Sequence, residues 1–205
     1  MTYVKVCVCI TPEAETRGNR IQRDFVLSKE IWRPISFQLN KVIQLSAYTF
    51  RDREISYITP FREQPKVHSL LQKCASLSPE SEIYVCYVGG DYFQEPHVIG
   101  CAYSQRCKDT WKGFILLTNS AASRPNMYTL AHELGHILLT RRKDGFLTNA
   151  DPDSPHGSVH HPDPFNLMHA VVPTPKHIRQ LDRLLSANQL ETALQSPLLH
   201  KKSNL

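Results

Sequence analysis

Apolar positions divide the chain into an ordered first part and an irregular second part. Tyr3 to Ile10 alternates and is rich in valine, which predicts a strand ending at Thr11-Pro12. Arg17 to Trp32 sets Ile21, Phe25, Leu27, Ile31 and Trp32 among polar residues, a helix that must stop before Pro34. Ile35 to Leu45 reads as a second strand or two short ones, so strand, helix and strand predict a right-handed parallel unit. Charge and proline between Arg51 and Pro65 predict a surface loop. Lys66 to Leu77 then carries Val67, Leu70, Leu71 and Cys74 at helical spacing. Ile83 to Val88 is apolar nearly throughout, as a strand covered on both faces would be. Beyond the turn at Gly89-Gly90-Asp91, Val98 to Ser104 and Gly113 to Thr118 predict two further strands.

Met127, Leu130, Ala131, Leu134, Ile137 and Leu138 form an apolar stripe at helical spacing. Ser123 followed by Pro125 predicts its start, and Arg141, Arg142 and Lys143 before Gly145 its stop, with basic charge at the negative end of the dipole. After Gly145 the periodicity vanishes. Thr148 to Pro164 is dense in Asp, Pro, Ser and His, and a stretch of that kind inside a compact domain is functional or disordered. Phe165 to His169 is a small apolar cluster. Pro173-Thr174-Pro175 then predicts a last helix, with Thr174 as N-cap and Ile178, Leu181, Leu184, Leu185 and Leu190 as its buried stripe. The chain from Ser196 is expected to fray. The expected architecture is a single α+β domain over residues 1–195 with a flexible tail at 196–205. A twisted mixed sheet with helices forms an upper lobe (about 1–143), and a small irregular lower lobe (about 144–195) is closed by a helix.

Composition narrows the function classes. A chain of 205 residues with 41% hydrophobic residues can fill one core. The formal charge of +5 is scattered in small basic clusters without a groove-reading motif, which argues against nucleic acid. No apolar run is long enough to span a membrane. Met1 to Ile10 lacks the pattern of a signal peptide, so the chain is expected to be cytosolic, exported by an unreadable route, or trimmed of a leader. Cys7, Cys9, Cys74, Cys86, Cys101 and Cys107 form no CxxC pair and fall in apolar runs, which predicts free thiols acting as small hydrophobes. A monomer is expected.

The chemistry concentrates at His132-Glu133-Leu134-Gly135-His136. Residues four apart on a helix lie about 40° apart in azimuth, so two imidazoles can converge on one ion. Glu133 is rotated by about 100° from His132, near enough to act on a water held by that ion without ligating it. This is the HExxH arrangement of zinc peptidases, with the carboxylate as general base and two histidines as ligands of a single Zn²⁺. A catalytic zinc takes a third protein ligand, which must lie downstream.

With Asn166-Leu167-Met168 the sequence resembles the metzincin group of zinc endopeptidases over roughly Ile83 to Leu190. The resemblance implies a two-lobed fold with zinc in the cleft and hydrolysis of a peptide or protein substrate. It implies His132 and His136 as ligands, Glu133 as base and Met168 as the methionine of a turn beneath them. It also implies that Ile99 to Ser104 is the edge strand lining the cleft, the alternative being an internal hairpin strand. In the usual continuation HExxHxxGxxH, the glycine and third histidine fall here on Leu139 and Arg142, so the third ligand must lie beyond an inserted loop. The candidates are His156, His160, His161 and His169. His169 adjoins the turn methionine, and His156 lies far before it. Chains with a displaced third histidine favour His160, eight residues before Met168, with His161 as its competitor. Asp144 lies two residues past the usual ligand position and is set aside. Where some members have a tyrosine after the methionine this chain has Ala170, which leaves His169 as a stand-in for polarising the substrate carbonyl. Two other readings compete: a thermolysin-like peptidase with Glu191 as third ligand, and a zinc-binding interaction module without turnover.

Overall fold

The computed structural model describes residues 2–107, 110–143, 145–177 and 180–201. Strand β1 (Thr2–Ile10) is followed by helix α1 (Arg20–Ile31) and strand β2 (Ile35–Gln44), which pairs parallel to β1. Helix α2 (Pro65–Leu77) leads to β3 (Ile83–Tyr87), parallel to the other side of β1. An antiparallel pair follows, β4 (Gly100–Cys107) and β5 (Thr110–Leu117), with β5 parallel to β3. The order β2-β1-β3-β5-β4 leaves β4 at an edge, joined among the described residues to β5 alone. The fold is α+β with a mixed sheet, and the predicted strand-helix-strand unit is parallel.

Alternation along β1 sorts the core. Val4, Val6, Val8 and Ile10 face α1 and helix α3 (Thr129–Leu138), with Leu130, Leu134 and Ile137 packed among them. Cys7 and Cys9 face the other way, beneath Val67, Leu70, Leu71 and Cys74 of α2. A third cluster lies below α3, where Trp32, Ala131, Leu138, Leu167, Met168 and Leu184 join the sheet half to the irregular segment. All six cysteines are free thiols. The buried Arg20 fastens the approach to α3: its guanidinium donates to Thr118 O at 2.9 Å and Glu15 O at 2.7 Å, pairs with Asp24 at 3.5 Å and stacks over Tyr87. Burial of such a pair is tolerated because each hydrogen-bonding group finds a partner or the opposite charge nearby.

Several local expectations are corrected. Ser123 and Pro125 open a single 3₁₀ turn, Arg124–Asn126, and α3 begins only at Thr129. It ends at Leu138, where Thr140 N–H closes a tighter i→i−3 bond on Ile137 O at 3.2 Å and Thr140 Oγ1 donates to the His136 carbonyl at 3.0 Å. Arg141 to Lys143 is therefore no helix end but strand β6 (Arg141–Lys143), paired with β7 (Phe146–Thr148). Arg141 still serves a carbonyl at the helix end, donating to Leu139 O at 3.0 Å from the hairpin. The last helix does not start at Thr174. Two 3₁₀ turns, Pro175–His177 and Leu181–Arg183, precede α4 (Ala187–Leu194), whose capping box is formed by Ser186 and Gln189. Ile178, expected in that stripe, lies outside the described residues, as does Asp144. The segment expected to fray stays docked as far as Lys201: Leu198 is buried, and β8 (His200–Lys201) pairs with Thr2 and Tyr3 of β1.

Candidate metal centre

Every residue of α3 is buried, the polar positions as well as the apolar stripe that was expected to bury the helix. The sheet covers one side, β4 a second and the lower segment a third. Three glycines make this possible. A Cβ at Gly113 of β5 would lie 2.5 Å from Ile137, and one at Gly100 of β4 would lie 2.8 Å from Glu133 Oε1. A Cβ at Gly135, inside the motif, would lie 2.2 Å from Met168 Sδ and 2.8 Å from Trp32 Cζ2. At each position a Cβ would force the neighbouring side chain to shift, so glycine permits the close approach, with its φ unremarkable.

The enclosure carries the two helical histidines inward. His132 Nε2 and His136 Nε2 lie 3.1 Å apart, and the rings meet edge to face with centroids 4.7 Å apart. The His160 ring stacks on His132 at 5.6 Å and meets His136 edge-on at 5.1 Å. One donor atom from each of these three residues lies within 4.8 Å of the other two, which makes the cluster able to hold a metal ion. Desolvation holds His132 down at about 4 and His136 well below the ordinary imidazole range, and it also lowers His160. Neutral rings offer the lone pairs that a cation needs. Glu133 is buried beside them, and desolvation pushes its carboxyl up to about 8. A cation at the histidine cluster would draw that value back down.

Irregular backbone supplies the third ring and the floor. His132 Nδ1 donates to Leu167 O at 2.7 Å, which fixes the tautomer that leaves Nε2 free. Met168 is fully buried against Gly135, and its N–H bonds Asn166 Oδ1 at 2.8 Å. His161 points elsewhere: its Nε2 is 3.9 Å from Asp153 and its Nδ1 accepts from Asp163 N–H at 3.0 Å. His156 is exposed, and His169 Nδ1 turns to the backbone of Val171. Glu191, the thermolysin-like alternative, is exposed on α4 and belongs to none of the donor groups found among the described residues.

A cleft of about 550 Å³ opens over the histidines, lined by Ile99 to Ala102 of the β4 side, by Glu133 and by Ala170 to Val172. A second hollow of about 390 Å³ continues along β4 past Cys101, Ala102 and Tyr103 and shares Tyr57 with the first. Ile99 O accepts from Thr118 N–H at 3.0 Å, so alternation turns the backbone groups of Gly100, Ala102 and Ser104 away from β5, toward the open edge.

No family model matches the chain, and no curated protein matches it in sequence. Among solved structures, metalloproteinase-II from Bacteroides fragilis overlaps with a TM-score of 0.56 at 14% identity, covering 95% of this chain and 53% of that one. The chain thus spans about half the length of that relative and shares its fold. A second structure, of a chaperone–substrate complex, overlaps at a TM-score of 0.46 and 11% identity over 94% of this chain and 38% of that one, too loosely to bear on the fold.

Gly100, Gly113, Gln189 and Trp32, whose Nε1 donates to Ala131 O at 2.9 Å, carry no site role in the sequence pattern. Only Gln189 left a readable signal, the Ser-x-x-Gln of a capping box at Ser186. The glycine contact predicts that Gly135→Ala lowers stability by about 1–3 kcal/mol through overpacking. Met168→Ala should make the two changes together cost less than their sum, as urea unfolding of the four proteins would show. Strict additivity would mean that the two side chains do not compete for one space.

Proposed function

We propose that the chain is a zinc-dependent endopeptidase of the metzincin kind, with His132, His136 and His160 as ligands and Glu133 as general base. The observation that carries this reading is the convergence of three neutral imidazoles beside a buried carboxylate at the foot of a sheet-edge cleft. The donor set suits the ion. Nitrogen ligands of a tetrahedral zinc stand about 2.0–2.1 Å from it, hence ~3.3 Å from each other, against 3.1 Å between His132 Nε2 and His136 Nε2. Bound there, zinc would supply Lewis acidity, acidifying a water and polarising a carbonyl. Glu133 would serve as the base, taking a proton from the attacking water and returning it to the departing amine. Leu167 O holds His132 in the ligating tautomer, and Met168 supports the helix from below. The outward-facing backbone of β4 suits an extended peptide, which adds as a strand without demanding particular side chains.

Glu133→Gln should keep stoichiometric zinc yet lower peptide turnover by about 10²–10⁴-fold, since it removes the base and leaves the ligands. Turnover within tenfold of wild type, in a peptide-library assay with a chelator control, would sink the assignment.

The ligand set is tested separately by metal analysis of two purified variants. His160→Ala should lose zinc or bind it far more weakly, whereas His161→Ala should keep one zinc per chain. The reverse pattern would move the ligand to His161.

Ala102→Pro removes an N–H that faces the open edge and spares the ladder to β5. It should raise KM or abolish cleavage while circular dichroism and zinc content stay unchanged. Unaltered KM would show that substrate does not pair with β4.

A further inference from the structure

The loop that carries His160 and the turn that carries Met168 have no regular structure of their own, so something must hold both in place. Both are tied to one buried side chain on α4. Gln189 is 0% exposed and uses its whole amide. Its Oε1 accepts from Ser186 N–H at 2.9 Å and from Asn166 Nδ2 at 3.0 Å. Its Nε2 donates to Asp151 Oδ2 at 2.5 Å and to Asn166 Oδ1 at 3.0 Å. Two donors and two lone pairs are the full capacity of the group, so each bond has no spare to replace it.

From those partners two short straps run to the centre. Asp151 N–H bonds Ser158 O at 2.8 Å, and Ser158 Oγ accepts from His160 N–H at 3.1 Å. Asn166 Oδ1 accepts from Met168 N–H at 2.8 Å, next to the Leu167 carbonyl that fixes His132. Ser186 Oγ and Asn188 Nδ2 hold Asp153 on the first strap as well, the latter at 2.6 Å. We infer that Gln189 is a positioning residue of the metal centre, setting the place of His160 through Asp151 and of the methionine turn through Asn166. The inference rests on the zinc reading above. It explains why an irregular segment of Asp, Pro and Ser can present a ligand: the loop's order is borrowed from the first turn of a helix.

Zinc affinity, measured by chelator competition on the full chain, tests this, with urea unfolding of each metal-free protein alongside. Gln189→Glu sets an acceptor against Asp151 and should weaken zinc binding by about 10–100-fold, the usual cost of losing a partner behind a ligand. Pairing it with Asp151→Asn returns a donor to that contact and should restore most of the affinity. In a His160→Ala background, whose residual zinc binding is read at raised zinc, the effect of Gln189→Glu should shrink severalfold, to what the Asn166 arm alone passes on, because the ligand positioned through Asp151 is already gone. A folded Gln189→Glu protein with wild-type affinity overturns the inference. So does an undiminished effect in the His160→Ala background, which would mark general destabilisation. Should Gln189→Glu not fold, Asp151→Asn alone decides: a severalfold loss supports the strap and unchanged affinity refutes it. A wild-type chain that takes up no zinc refutes the zinc reading itself, whereas normal uptake with an inert Gln189 refutes only the inference.

Discussion

The structure depends on enclosing a helix that carries polar chemistry. Two imidazoles and a carboxylate on α3 are buried, and burying such groups is costly unless each finds a partner. The fold meets this only in part: Leu167 O accepts from His132 and the two Nε2 atoms lie 3.1 Å apart, while His136 Nδ1 is buried without a hydrogen-bond partner among the described residues. Packing around α3 also brings neighbours to separations that a side chain would prevent at three positions. Hence glycine stands at 100, 113 and 135, where a methyl group would collide with Glu133, Ile137 and Met168 respectively.

Enclosure also sets the electrostatics. Removing water disfavours charge on every group, so the histidines are driven neutral and Glu133 toward its protonated form. Without a cation the cluster is a group of polar side chains held away from solvent. A divalent charge placed among the three rings reverses the balance for the carboxylate and gives the lone pairs a use. The same low-dielectric surroundings that are unfavourable to the empty cluster strengthen every interaction with an ion at its centre.

The sequence was most readable where structure is set by neighbours along the chain. Valine alternation in β1, the stripe of α2 and the apolar run of β3 each lie within a residue or two of their expected ends. The pairing of His132 with His136 follows from helical spacing alone. What could not be read depends on partners far away in the chain. The stop of α3 at Leu138 is made by Thr140 and by a hairpin, while a basic run at that place reads equally well as a helical end. Leu181, Leu184 and Leu185 look like a helical stripe, yet they pack under α3 from 3₁₀ and irregular backbone, and the helix waits for the Ser186 cap. The choice between His160 and His161 is a two-way choice of facing on extended chain. It is made by Asp153 and Asp163, which draw His161 aside, and by Ser158, which anchors His160.

If the cleft takes a peptide, as proposed above, the edge of β4 constrains how that peptide can slide. A Cβ at Gly100 would lie 2.8 Å from Glu133 Oε1, so glycine there leaves no side chain of β4 between the strand edge and that carboxylate. A segment added to β4 can then move past Glu133 only by changing its hydrogen-bond partners. A shift of one residue would turn its side chains to the opposite faces, so the favoured shift is two residues, ~6.8 Å. Under that reading, alternative cuts in one bound segment would be spaced by pairs of residues, a spacing set by the pleat of the edge strand.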